Sequence, residues 1–247
     1  MTSVFWASQL IKILSLWVIQ CGTGHLALRK GIKVNYTRKI NHFFIFFLPL
    51  YLDKLLVYEQ SLKLFTIGCF ISVSSLIIYI GPIRESIPIV GKMFASFDRP
   101  EDRPHTLMWL TTQIAAGYLV IILMIMLYIQ KGHTNLILIP VLINGIGDGL
   151  AEPVGVRFGK LKYRTHALFS KKKYVRTVEG SACVFITSII VIMLYKSCFT
   201  QGEYIAAVII VPILMTLAEA FAPHTWDTPF LFLTGYLLLY LIKTMPL

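Results

Sequence analysis

Apolar residues in this chain run in long blocks, and the polar residues collect between them. The blocks extend from about Val4 to Ile19, Ile40 to Leu56, Leu62 to Ile80, Leu107 to Ile129, Leu136 to Gly147, Ala182 to Tyr195, Tyr204 to Phe221 and Phe230 to Ile242. Several fall short of the roughly 20 apolar residues that a perpendicular helix needs to cross a bilayer. The pattern predicts an all-α fold, a polytopic transmembrane bundle of about eight spans. The fifth block is the shortest, with Pro140 inside it and Gly145 and Gly147 near its end. It reads as a broken or re-entrant helix with a cavity near Asp148, because irregular backbone at membrane depth is tolerated only where protein or water satisfies it.

Composition agrees with this class. At 247 residues, 56% hydrophobic and 14% charged, with a mean hydropathy of +0.72, the chain has more apolar surface than one soluble core could hide. The first block lacks a basic leader and runs straight into further blocks, so it reads as a retained helix and not a signal peptide. Cys21, Cys69, Cys183 and Cys198 are scattered without a CxxC pair, which suggests neither a disulfide framework nor a zinc site. With no repeat or long linker, residues 1–247 read as a single integral membrane domain.

The net charge of +11 is unevenly placed. Connections 24–39, 83–106 and 152–178 carry five, four and eight of the 23 Lys and Arg residues. With eight spans they share one face, and positive charge marks that face as cytoplasmic, with both termini opposite. Basic loops, including Lys171, Lys172 and Lys173, are also what topology and anionic headgroups alone would produce. Nucleic acid is not an expected partner, since no soluble module carries the basic stretch.

Residues 147–181 hold the densest chemistry. Asp148 closes one apolar block, Glu179 opens the next, and eight of the twenty residues from Arg157 to Arg176 are Lys or Arg. Only twelve acids occur in the chain, and Asp148, Glu152, Glu179, Glu219 and Asp227 all sit near the cytoplasmic ends of spans. Magnesium is usually held by one or two carboxylates plus phosphate oxygens and water, so acids beside a basic loop suit a metal-bound triphosphate. Asp148 and Glu152 are spaced to share a helical face, but Pro153 disfavours helical dihedrals at Glu152. Gly145, Gly147, Gly149, Gly155 and Gly159 would allow tight turns and backbone N–H contacts to an anion. Neither a Rossmann fingerprint nor a P-loop motif is present. Asp227 and Pro229 would also suit the start of a helix.

GDGLAEPVGVRFG at 147–159, followed by KKKYVRTVEGSACVF at 171–185, resembles the core of the polyprenol kinase family, which includes phytol, farnesol and dolichol kinases and CTP-dependent diacylglycerol kinases. RKINHFF at 38–44 resembles that family's early Arg-Lys-x-x-His element, and EAFAPHTWDTPFLF at 219–232 its late element. Thr228 departs from the Asn that the phytol kinase branch often carries there. The resemblance implies phosphoryl transfer from CTP, with a divalent cation such as Mg2+, to the hydroxyl of a lipid alcohol. By position it implies Asp148, Glu152, Glu179 and Asp227 as catalytic acids, with Asp148 and Glu152 on the metal. Gly147, Gly149, Arg157, Lys160, Lys162, Lys173, Arg176, Gly180 and Ser181 would surround the nucleotide, and Arg38, His42 and Glu219 would contact substrate or phosphate.

Two alternatives stand beside this reading. A phosphatidate cytidylyltransferase has a similar Gly-Asp element and a Thr-x-Glu-Gly element, here Thr177 to Gly180, but its late His-Gly-Gly and paired aspartates are missing. A transporter or lipid-binding protein could also use broken helices and intramembrane acids. No inverted repeat is seen, and the polar loops gather on one side.

Overall fold

The computed structural model of the protein describes residues 3–167 and 170–245. Its elements are helices α1 (Ser3–Arg29), α2 (Val34–Leu55), α3 (Leu62–Ser74), α4 (Gly81–Ser86), α5 (Pro88–Phe94), α6 (Thr106–Lys131), α7 (Leu138–Leu142) and α8 (Gly149–Phe158), then strands β1 (Lys162–Ala167) and β2 (Ser170–Thr177), then helices α9 (Val178–Leu194), α10 (Gln201–Phe221) and α11 (Asp227–Thr244). Each apolar block falls on a helix. Among the described residues, five helical stretches are long and apolar enough to cross a membrane: Ser3–Arg29, Leu62–Tyr79, Thr106–Lys131, Thr134–Phe158 and Gln201–Phe221. Val178–Leu194 is a shorter apolar helix. Among the described residues the regular structure is therefore helical apart from one hairpin, with long apolar helices compatible with an integral membrane protein.

Helix α10 displays the logic of such helices. It exposes Ile205, Ile209, Ile213, Leu217 and Phe221 at four-residue spacing and buries Glu203, Ala207, Val211, Met215 and Glu219 on the other side. A helix facing water turns its large apolar side chains inward. Here the apolar stripe faces out and the acids face in, which suits a hydrocarbon surround. Its start is fixed by a capping box in which the Thr200 hydroxyl accepts from the Glu203 N–H and the Glu203 carboxylate accepts from the Thr200 N–H.

Two compact units divide the chain, Met1–Thr112 and Gln113–Leu247. In the first, α1 packs on α2 and α5. Gly24 makes the α5 approach possible, since a Cβ there would collide with the Lys92 carbonyl. Tyr79, Val90, Met93, Phe94 and Phe97 form the apolar core. Buried polar groups are matched pairwise: Asn41 donates to the Ser96 hydroxyl at 2.7 Å, Thr37 to the Ser96 carbonyl at 2.7 Å and Thr23 to the Asn41 carbonyl at 3.0 Å. Lys12 meets Asp53 at 2.5 Å, and the same carboxylate oxygen accepts from Ser8 and Tyr58. Arg99 pairs with Asp102 at 2.7 Å in the connection before α6.

In the second unit α9 packs against α8 and α10, and α10 against α11. The fifth apolar block is not broken. It runs as helix from Thr134 to Phe158, with a π-helical turn at Ile143–Asp148 between α7 and α8. Pro140 lies in the first turn of α7, where its absent N–H is least missed. Pro153 lies inside α8, so Asp148 and Glu152 do share a helical run, against the local preference of the residue before proline. Packing overrides that preference. A Cβ on Gly155 would sit 2.7 Å from the Thr177 hydroxyl, one on Gly180 2.7 Å from the Ala151 carbonyl, and one on Gly147 3.0 Å from the Val184 Cα. The glycines expected to make anion-binding turns instead let α8 and the π turn lie directly on α9. Among the described residues only Gly31 and Gly132 are glycines with positive φ, both just past helix ends.

Candidate functional site

The basic stretch read as a loop is a β-hairpin. Strands β1 and β2 pair antiparallel, with Tyr163 opposite Arg176 and Thr165 opposite Tyr174. Successive side chains of a strand point to opposite faces, so these four share one face. Lys162, Arg164, His166 and Lys173 lie on the other and are exposed. Lys171 and Lys172 lie in β2, but their side chains fall outside the described residues.

The inner face covers the connection between α10 and α11. Thr165 donates to the Ala222 carbonyl at 3.0 Å, and the His224 N–H donates to the His166 carbonyl at 2.7 Å. The Tyr174 ring stacks on His224 with centroids 3.5 Å apart. This anchorage places Arg176 among acids from three other elements. Its guanidinium meets the Glu219 carboxylate at 2.5 Å and that of Asp227 at 3.6 Å, and it also donates to the Glu219 and Ala222 carbonyls. Asp148, only 3% exposed, lies within its electrostatic reach. Burial works against the Arg176 charge, but Glu219, Asp227 and Asp148 outweigh it and hold the guanidinium above its ordinary pKa.

A relay of hydroxyls completes the cluster. Ser181 donates to the second Glu219 oxygen at 2.7 Å, and Tyr163 lies 2.6 Å from the Ser181 oxygen. With the Ser181 proton directed at Glu219, Tyr163 must be the donor to Ser181. Burial, then the Glu219 charge, pushes the Tyr163 phenol up from its ordinary pKa, against the opposing pull of Ser181 and Arg176, so it remains protonated as the relay requires.

The structure therefore brings together Asp148, Arg176, Ser181, Glu219 and Asp227 from the sequence-predicted set. Others serve elsewhere. Glu179 accepts from the N–H groups of Lys160 at 2.9 Å and Leu161 at 3.2 Å, which closes the turn between α8 and β1. Glu152 is half-buried on α8, one turn beyond Asp148. Arg157, Lys160, Lys162 and Lys173 are exposed, and Arg157 rests over the Phe158 ring. Gly147, Gly149 and Gly180 are helical. Arg38 and His42 belong to the first unit, on α2, where His42 packs on Phe46 with ring centroids 4.6 Å apart.

No family model, curated protein or solved structure matches the chain. The arrangement has to be read from its own chemistry. One guanidinium faces carboxylates from three elements in a buried site. Among the described residues no group of three or more His, Cys, Asp or Glu is disposed to hold a metal alone. Both Glu219 oxygens are already engaged by Arg176 and Ser181. Asp148 and Glu152 lie one helical turn apart, and magnesium is a cation that takes one or two carboxylates and keeps phosphate and water for its other positions.

Sequence reasoning missed Tyr163, Thr165, Tyr174 and His224. The alternation of Lys162, Arg164 and His166 with Tyr163 and Thr165 was a period-two signal for a strand.

Proposed function

We propose that the protein is a CTP-dependent lipid kinase, transferring the γ-phosphoryl group to the hydroxyl of a polyprenol-type alcohol (phytol, farnesol or dolichol in kind) or of diacylglycerol. The observation that carries this reading is the convergence of Asp148, Glu219 and Asp227 on Arg176, with Ser181 bonded to Glu219, in a buried polar site among long apolar helices. It is supported by the family resemblance of the same segments. About eight spans, with the site on the cytoplasmic face, would give it access to both cellular nucleotide and membrane-borne alcohol.

In this reaction the lipid oxygen attacks the γ-phosphorus, the bond to the β–γ bridging oxygen breaks, and CDP leaves. The hydroxyl proton passes to Asp227, the acid that stands 3.6 Å from the guanidinium where Glu219 stands at 2.5 Å. Arg176, held by Glu219, is aimed by the Ser181–Tyr163 relay at the negative charge that gathers on the transferring group. Asp148 and Glu152 would hold magnesium, which when bound neutralises triphosphate charge. Long exposed apolar side chains suit any long-chain acceptor.

Purified protein in detergent, given γ-labelled CTP, magnesium and a panel of lipid alcohols beside phosphatidic acid, provides the test. Label in a lipid product is the expected result. Label in pyrophosphate would assign a cytidylyltransferase, and label left in CTP with every acceptor would remove the enzymatic reading.

A further inference from the structure

Thr225, in the connection between α10 and α11, combines two unfavourable features. Its φ is 66°, the one positive-φ non-glycine among the described residues. A β-branched residue is among the least suited to that region, where Gly or Asn would sit more easily. Its hydroxyl oxygen is buried without a hydrogen-bond partner among the described residues, in a side chain only 4% exposed. Either feature alone would be unusual, and strained backbone with an orphaned polar atom tends to mark a site where the missing partner is a ligand.

The surroundings hold this conformation in place. On one side His224 is fixed by the His166 carbonyl and the Tyr174 ring, and on the other the Trp226 N–H donates to the Pro223 carbonyl at 2.9 Å. Asp227, two residues on, faces Arg176. We propose that the Thr225 hydroxyl is a ligand-binding donor, which pairs with an anionic phosphoryl oxygen of the metal-bound triphosphate in the Arg176 site. This deepens the kinase reading and rests on it. A hydroxyl pairs more strongly with an anionic oxygen than with a neutral one, which favours the nucleotide over the lipid alcohol as its partner. The oxygen is closed to water here, so the triphosphate reaches it only when its cover moves.

The test compares Thr225→Val, Thr225→Ser and Thr225→Gly with the wild type, using melting temperature with and without Mg2+-CTP and KM for CTP and for the alcohol. Without ligand, Thr225→Gly should melt higher and Thr225→Val no lower than the wild type, since strain or an orphaned hydroxyl is removed. With ligand, Thr225→Val should show a smaller melting shift and a CTP KM raised about fivefold or more, with Thr225→Ser close to wild type. A ligand-free Thr225→Val that melts lower overturns the proposal, because the hydroxyl then has a protein partner. A rise in KM for the alcohol alone, or no change in KM, also overturns it. A wild-type protein that neither melts higher with Mg2+-CTP nor labels any lipid removes the kinase reading, and this inference with it, whatever the ligand-free melting order.

Discussion

Glu203 and Glu219 are both buried on the inner side of α10, roughly 24 Å apart along the axis at 1.5 Å per residue. Glu203 is balanced: Lys243 meets it at 2.7 Å, the capping box uses the same carboxylate, and Lys243 also donates to the Cys198 carbonyl. Glu219 shares Arg176 with Asp227 and Asp148. One residue type on one helix face thus has two uses. A carboxylate with its own cation ties helices together, whereas carboxylates from three elements gathered on one guanidinium build a polar site. The Lys12–Asp53 pair of the first unit belongs with Glu203, since hydroxyls and one ammonium account for its charge.

Arg176→Met should have the largest effect. It takes the guanidinium away from three buried acids and should cost about 3–5 kcal/mol of stability along with all activity, as read by denaturant unfolding in detergent and by the label assay. Stability unchanged would mean that the acids are neutral or solvated, and the distinction between the two glutamates would fail.

Lys243→Met should cost about 1–3 kcal/mol while leaving turnover per folded molecule intact. The double change Glu203→Leu with Lys243→Met should recover most of that loss, because a buried pair replaced whole is nearly neutral. Loss of turnover in this variant would give Glu203 a role that its balanced charge does not suggest. Gly180→Ala places a Cβ 2.7 Å from the Ala151 carbonyl, so α8 and α9 must separate, at about 1–3 kcal/mol in the same unfolding measurement. The smallest effect expected is that of Tyr163→Phe. It removes one donor to Ser181, costs about 1 kcal/mol, and lowers turnover without abolishing it.

The apolar blocks were legible because a membrane helix carries its signal in every residue. Asp148, Arg176, Ser181, Glu219 and Asp227 were legible as charged or small polar residues at the ends of such blocks. The hairpin was hidden because neither face is simply apolar: basic side chains alternate with Tyr and Thr, so the period-two pattern lies within a stretch of high charge. Gly147, Gly155 and Pro153 misled for a different reason. Their local preferences favour turns, but contact with α9 decides the backbone there. Thr225 carries no local signal; it follows His224, whose N–H is bonded to a strand far earlier in the chain.

Titration of CTP by calorimetry, with and without Mg2+, against the wild type, Asp148→Asn and Glu203→Gln would show whether the acids at Arg176 bind a metal-bound triphosphate. The expected result is Mg2+-dependent binding that Asp148→Asn weakens at least about tenfold, equivalent to ~1.4 kcal/mol, while Glu203→Gln binds like the wild type. Equal binding by all three proteins, or binding indifferent to Mg2+, would contradict it.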